Sequence, residues 1–446
     1  MATRRDEQAG FRTDKPRERA IVVGVNLPDA WLGGKGGAAD LPELAQLVDT
    51  AGADVVGRVE QTRPKPEPAT FLGSGKLLEL KEMLAATEAT LVVFDNDLSP
   101  AQGRNLEKEL DCNVLDRTEL ILDIFASHAS SRQSRLQVEL AQLQYLLPRL
   151  TRLWSHLERQ AGGIGTRGPG ETQLETDRRL LGRRVAQLKQ ELVEIESNRR
   201  TQTASRDEVF KAALVGYTNA GKSTLMNAIT QAGVYVKDQL FATLDATTRR
   251  VEVDERRRFL LTDTVGFIRK LPHHLVESFK ATLQEVREAD LLVHVVDAGS
   301  EDPDHQIASV ERVLREMVPR AELRKHGEPQ PKPTLMVFNK IDLVDAETVA
   351  NRYRRLYPEA LFVSGTDPAG GAAVRDAILA HRLGGEVIRT VRLPLSRLGA
   401  LSPFHRTQSV LEQVFEGDHC RATLRLSEIE LNRLLAREGA ELIPDD

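Results

Sequence analysis

Ala212-Ala213-Leu214-Val215-Gly216-Tyr217-Thr218-Asn219-Ala220-Gly221-Lys222-Ser223 decides the fold. Its apolar run enters the spacing G-x-x-x-x-G-K-[ST], which reads as a buried strand, a glycine-rich turn and the first turn of a helix. That arrangement aims successive backbone N–H groups and the positive end of a helix dipole at one point, and a polyphosphate suits such a point. Gly216, Tyr217, Thr218, Asn219, Ala220, Gly221, Lys222, Ser223 and the following Thr224 are the expected phosphate cradle. Within it the Lys222 ammonium would reach the β- and γ-phosphates, and the Ser223 hydroxyl would hold Mg²⁺. The competing reading is a plain glycine turn between a strand and a helix.

The sequence downstream displaces that reading. Arg258-Phe259-Leu260-Leu261-Thr262-Asp263 reads as a second buried strand and continues as Asp263-Thr264-Val265-Gly266. In this D-x-x-G the Asp263 carboxylate would accept from a Mg²⁺-bound water. The Gly266 N–H would bond the γ-phosphate with no side chain in the way. Thr334-Leu335-Met336-Val337-Phe338 is another apolar run, opening onto Asn339-Lys340-Ile341-Asp342. One aspartate carboxylate can accept both the N1–H and the N2 amino group of guanine, donors that adenine lacks. Ser364-Gly365 follows the run Leu361-Phe362-Val363 and would support the base from the other side. Four motifs in this order at strand ends predict that the nucleotide is GTP.

Two positions refine the chemistry. Many GTPases carry a glutamine after D-x-x-G to orient the attacking water; here Phe267 stands there. Turnover alone is therefore expected to be slow, with a partner or a cation supplying the missing interactions. Asn219 reads either as a K⁺ ligand, the role an asparagine plays there in some GTPases, or as a residue suited to a turn. The first switch loop is expected in Phe241-Ala242-Thr243-Leu244-Asp245-Ala246-Thr247-Thr248. Thr243 is the expected Mg²⁺ ligand, completing a catalytic set with Lys222 and Gly266; Thr247 is the runner-up.

At 446 residues the chain has room for several cores, and its net charge of −5 excludes a uniformly basic nucleic-acid binder. The two cysteines, Cys112 and Cys420, match no metal or redox spacing. A charged N-terminus and the lack of any long apolar run predict no membrane span and a cytoplasmic protein. Residues 1–19 are expected to be a disordered tail, and 20–130 an α/β unit with strands at Ala20–Val25, Ala53–Val56 and Thr90–Phe94. Within it Gly73-Ser74-Gly75-Lys76 resembles a phosphate loop but lacks the first glycine, since Thr70 occupies that place, and the hydroxyl, since Leu77 follows the lysine.

Residues 131–204 read as an antiparallel helical hairpin. Leu136, Leu140, Leu143, Leu147, Leu150, Leu153 and Leu157 recur at intervals of four and three, as do Leu181, Val185, Leu188, Leu192 and Ile195. Pro148 is expected to kink the first helix. Between Pro148 and Lys189 nine basic side chains stand against four acidic ones, a local excess of +5. With Trp154 and His156 nearby, and a tip rich in glycine, this suits insertion into structured RNA; a solvated helix face is the plainer alternative.

Arg159-Gln160, Gly162-Gly163-Ile164-Gly165-Thr166-Arg167-Gly168-Pro169-Gly170-Glu171-Thr172-Gln173-Leu174-Glu175 and Asp177-Arg178-Arg179 carry a family resemblance. Together with G-Y-T-N-A-G-K-S, D-T-V-G-F and N-K-I-D, this stretch resembles the HflX family of translational GTPases, over roughly Arg19 to Gly385. The resemblance implies binding to the ribosomal RNA of the large subunit and splitting of stalled or idle ribosomes under stress. It places Gly163, Gly165, Arg167, Gly168, Gly170 and Gln173 at the RNA-facing tip. Phe267 fits the family pattern, while Ala246 stands where relatives often have proline. The resemblance also raises ATP use through the N-terminal domain.

The expected fold is α/β: a P-loop GTPase module at 205–385, preceded by the smaller α/β domain and the hairpin, and followed by a small α+β module at 386–446. In that last module Val387–Leu393 and Arg421–Leu426 read as strands, and Thr407–Phe415 and Glu428–Ala436 as helices. A monomeric, ribosome-dissociating GTPase is the leading function. A large-subunit assembly factor and a GTP-switched scaffold without RNA contact are the alternatives.

Overall fold

The computed structural model describes residues 17–28, 39–153, 169–203, 209–230, 240–241, 244–253, 258–269, 284–316, 332–383, 386–406, 409–437 and 439–443. The chain divides into two compact units, Met1–Glu194 with Lys270–Ser278 and Ile195–Arg269 with Phe279–Asp446.

The first unit begins with an open parallel sheet. Its strands are β1 (Glu18–Asn26), β2 (Ala53–Thr62), β3 (Leu91–Phe94) and β4 (Asn113–Asp116), in the spatial order β2-β1-β3-β4. Ile21, Val23, Val92 and Phe94 are wholly buried, as strands covered on both faces require. Helices α1 (Leu41–Thr50), α2 (Ser74–Thr87), α3 (Pro100–Leu110) and α4 (Arg117–His128) connect and flank the strands. Local chemistry starts them: Asp40 caps α1, Asp116 caps α4, and Ser99 with Gln102 forms a capping box on α3 with Pro100 behind it. Gly73 precedes α2 without a side-chain cap, and Lys76 pairs with Glu79 at 2.8 Å. The loop that resembled a second phosphate cradle leads into α2, which buries Leu80 and Leu84.

The hairpin helices are α5 (Arg132–Leu153) and α6 (Pro169–Thr203). Glu139 takes a two-pronged contact from Arg184 at 2.7 and 2.9 Å, and Arg132 pairs with Glu191 at 3.2 Å. Seven residues forward on α5 match seven back on α6, so the pair is antiparallel. Pro148 lies inside α5, which continues to Leu153. Leu136, Val138, Leu140, Ala141 and Tyr145 are buried on α5, and Leu188 on α6.

Two of the basic side chains counted toward RNA are engaged elsewhere. Arg184 is the partner of Glu139, and Arg149 donates to Asp116 at 2.7 Å and to the Leu98 carbonyl at 3.0 Å while covering the Tyr145 ring.

The second unit is built on a six-stranded sheet: β5 (Lys211–Gly216), β6 (Thr247–Glu252), β7 (Arg258–Asp263), β8 (Leu291–Asp297), β9 (Thr334–Asn339) and β10 (Leu361–Phe362), in the order β10-β9-β8-β5-β7-β6. All neighbours are parallel except β6, which runs antiparallel to β7. Helix α7 (Lys222–Thr230) follows β5, and the core beneath it holds Leu214, Leu225, Phe259, Val293 and Val337.

A second sheet closes the chain, from β11 (Glu386–Pro394), β12 (Val410–Glu416), β13 (His419–Ser427) and β14 (Glu441–Ile443), antiparallel in the order β12-β13-β11-β14. Leu431 and Leu434 of the helix Glu428–Arg437 join its buried side. The helix expected at Thr407–Phe415 is instead strand β12. Its apolar pairs Val410-Leu411 and Val414-Phe415 imitate a helical repeat. The two-residue turn Gly417-Asp418, with Gly417 at φ +55°, sets the hairpin register that pairs Glu416 with His419.

Candidate functional site

The parallel register of β5, β7, β8 and β9 brings Gly216, Asp263, Asp297 and Asn339 to the carboxyl edge of one sheet. Open α/β sheets bind ligands at that edge.

The loop from Gly216 to Gly221 turns there into α7. Asn219 adopts a left-handed φ of +60° and is exposed. Asparagine tolerates that conformation better than most residues, which gives its identity a backbone reason. Gly221 sits at φ +84°, where a Cβ would come within 2.3 Å of Asn339 Nδ2. Lys222 is 6% exposed, and its ammonium donates to the carbonyls of Gly216 at 3.1 Å and Tyr217 at 2.8 Å. Burial pushes its pKa down to about 8, against the opposing pull of Asp263. Thr218 Oγ1 is buried with no hydrogen-bond partner among the described residues. Ala220 is buried, and Thr224 half-buried one residue beyond Ser223.

Ser223 Oγ donates to Asp263 Oδ2 at 2.5 Å. A hydroxyl and a carboxylate in contact are hard oxygen donors, the set Mg²⁺ takes alongside waters and substrate phosphates. The donor set therefore fits Mg²⁺. Gly266 lies against the lysine: a Cβ there would meet Thr218 Cα at 2.8 Å and Lys222 Nζ at 3.0 Å. Phe267 is 4% exposed, so its ring belongs to the core and holds no water.

Asn339 is 1% exposed and serves as a tie: its Nδ2 donates to the Ala220 carbonyl at 2.9 Å, and its Oδ1 accepts the Gly365 N–H at 2.7 Å. It thereby fixes the phosphate loop to the Ser364-Gly365 loop. Lys340, at φ +62°, pairs with Asp297 at 2.8 Å. Asp342 is exposed in the turn Ile341–Leu343, its carboxylate open to a base, and the Ser364 hydroxyl contacts that of Thr366 at 2.8 Å.

Thr243 lies outside the described residues, as do Gly163, Gly165, Arg167 and Gly168. Gly170 and Gln173 fall in the first turns of α6. Thr247 opens β6, with its hydroxyl 3.5 Å from the Asp245 carbonyl, and Thr248 contacts Thr262 at 2.9 Å. The motifs gave no sign of two further residues. Asp297 anchors Lys340, and the aspartate ending Leu291–Asp297 was its only signal. His294, opposite Val215 in register, is 2% exposed; burial, then Lys222, pushes its pKa down to about 4. It is neutral at physiological pH.

Three family models match consecutive stretches: a GTP-binding GTPase N-terminal region at 38–126, its middle region at 128–206, and a 50S ribosome-binding GTPase at 211–340. The GTPase HflX of Escherichia coli strain K12 is 46% identical over 406 residues, covering 90% of this chain and 93% of that protein. The chain belongs to the HflX family of GTPases. The GTPase HflX of Flavobacterium psychrophilum is 52% identical over 328 residues, 73% of this chain and 76% of that protein. A GTP-binding protein from Sulfolobus solfataricus, solved in complex with GDP, aligns at 24% identity with a TM-score of 0.42, covering 82% of this chain and 99% of that one.

As a member of this family, the chain binds and hydrolyses GTP. No helix among the described residues is long and apolar enough to cross a membrane.

Proposed function

We propose that this protein binds the large ribosomal subunit and splits stalled or idle ribosomes under stress. The observation that supports this is the pairing, in one chain, of a region matching a 50S ribosome-binding GTPase at 211–340 with the signature Arg159–Arg179, which straddles the connection between antiparallel helices. Five parts divide the work: a tail that ends before Arg17 rather than at 19, since β1 already begins at Glu18, an α/β domain from there to 130, the hairpin at 131–204, the GTPase domain at 205–385 and a C-terminal module at 386–446. The tip residues Gly163, Gly165, Arg167, Gly168, Gly170 and Gln173 meet ribosomal RNA, where glycine backbone approaches bases closely. The protein works as a cytoplasmic monomer.

In the GTPase domain the N–H groups of Gly216–Thr224 cradle the phosphates, and Lys222 spans the β- and γ-phosphates. Ser223, Asp263 and Thr243 hold Mg²⁺, which when bound neutralises charge on the phosphate oxygens. Asn219 contributes to a K⁺ site. Gly266 donates to the γ-phosphate, Asp342 accepts from guanine, Asn339 and Lys340 brace that loop, and Ser364-Gly365 backs the base. Phe267 supplies nothing to the attacking water, so the chain depends on the ribosome to order its switch loops.

The test is GTP turnover by the purified protein, with and without large subunits, in potassium and then in sodium buffer. Strong stimulation by subunits supports the proposal, and loss in sodium supports the K⁺ site. Normal nucleotide binding without stimulation favours the scaffold reading. Stimulation only by immature particles favours assembly.

A further inference from the structure

The phosphate-loop pattern leaves the second position open, and here a tyrosine fills it. Tyr217 is 6% exposed, and its hydroxyl accepts the backbone N–H of Arg269 at 2.8 Å. Two backbone bonds run beside this contact. The Thr218 N–H donates to the Phe267 carbonyl at 2.7 Å, and the Phe267 N–H donates to the Gly216 carbonyl at 3.0 Å. Together they make a parallel bridge between Tyr217 and Phe267. These three bonds lace the segment after D-x-x-G to the phosphate loop, one of them through a side chain.

Gly266 heads this ladder. It is close enough to Lys222 that a Cβ would stand 3.0 Å from the ammonium, and none of the three bonds uses the Gly266 N–H. Phe267 ties the segment down through its backbone alone, because its buried hydrocarbon ring offers no hydrogen bond. The tyrosine hydroxyl extends that tie by two residues, to Arg269.

We propose that Tyr217 is a positioning residue for γ-phosphate recognition: its hydroxyl pins Arg269, and so holds Gly266 beside Lys222, where the terminal phosphate of GTP arrives. The inference rests on the reading of Lys222 and Gly266 as phosphate contacts. GDP carries no γ-phosphate and does not engage Gly266, so the contact favours GTP over GDP rather than nucleotide binding in general. Its placement on the phosphate loop itself couples the two loops without any residue of the first switch.

The experiment compares wild type with Tyr217→Phe, which keeps the buried ring and deletes only the hydroxyl. Equilibrium affinities are measured for GDP and for a non-hydrolysable GTP analogue, and kcat for GTP in the same buffer. The expected result is an unchanged GDP affinity, an analogue affinity about three- to tenfold weaker, the size of one hydrogen bond, and a lower kcat. An equal loss for both nucleotides would mean that the hydroxyl only stabilises the loop, and no change that it is idle. A tighter analogue would mean that the contact opposes the γ-phosphate; each of these overturns the proposal. Failure of the wild type to bind either nucleotide would instead overturn the assignment of the site.

Discussion

Lys222 answers two opposing demands. Its ammonium must be buried to face phosphates, and burial weakens its hold on the proton, to a pKa of about 8. A bound polyphosphate raises that pKa, so nucleotide binding takes up a proton wherever the free protein has lost it. GDP affinity should therefore be flat near neutral pH and weaken as pH rises through about 8, by about fourfold between pH 7 and 8.5. Titration calorimetry across that range checks the slope, and a flat profile would mean that the ammonium stays charged throughout. Asp342 allows a test of base reading. Asp342→Asn exchanges one acceptor for a donor, which suits a base with a carbonyl at C2. GTP affinity should fall by at least about tenfold, since bonds to a charged group contribute about 1.5–3 kcal/mol, and XTP should bind better than GTP. Competition binding between the two nucleotides decides it. Both residues were legible because fixed spacing ties each to a strand end. His294 was not, since no spacing rule relates it to a lysine reached through sheet register. Asn339 was legible as a motif member, yet its work as a tie between Ala220 and Gly365 appears only in three dimensions.

Elements were legible where one period dominated. The paired apolar residues of β12 led a reading by helical period, which took no account of the Gly417-Asp418 turn that sets the β12–β13 register. The root of the hairpin was hidden for another reason: Arg149 reads as a free basic group until β4 and α4 present Asp116 to it. Around that contact Glu119 accepts from the Tyr145 hydroxyl at 3.2 Å. Burial first, then Asp116, raises the Glu119 pKa from its usual 4.5 to about 7, with Asp123 adding slightly and Tyr145 and Arg149 opposing. A carboxyl whose pKa is raised by folding favours the folded state less once it must ionise. The penalty is absent below about pH 4.5, grows towards pH 7 and is full above it. Glu119→Gln keeps the bond from Tyr145 and removes the ionisation. Its melting temperature should exceed that of wild type at pH 8 and match it at pH 4.5. An equal difference at both pH values would locate the effect in packing instead.

At the scale of the whole chain, charge divides what composition averages. A net charge of −5 conceals the basic hairpin, and within that hairpin the structure separates two kinds of arginine. Arg149 is bound to Asp116, whereas Arg178 and Arg179 are exposed on α6. If the hairpin meets RNA, only the exposed kind should report phosphate contact. Each neutralised phosphate contact lowers the slope of log affinity against log salt by about 0.7–0.9. Cosedimentation with large subunits over a potassium chloride series should thus give Arg178→Gln/Arg179→Gln a slope smaller by one to two such steps, with an unchanged melting temperature. Arg149→Gln should behave oppositely: it leaves the Asp116 carboxylate, 2% exposed, without its cation, so the melting temperature falls while the salt slope stays. If both variants keep the wild-type slope, the basic excess of the hairpin is a solvated surface and the RNA contact lies elsewhere. If Arg149→Gln alone flattens the slope, the Asp116 pair opens on the ribosome and Arg149 is itself an RNA ligand.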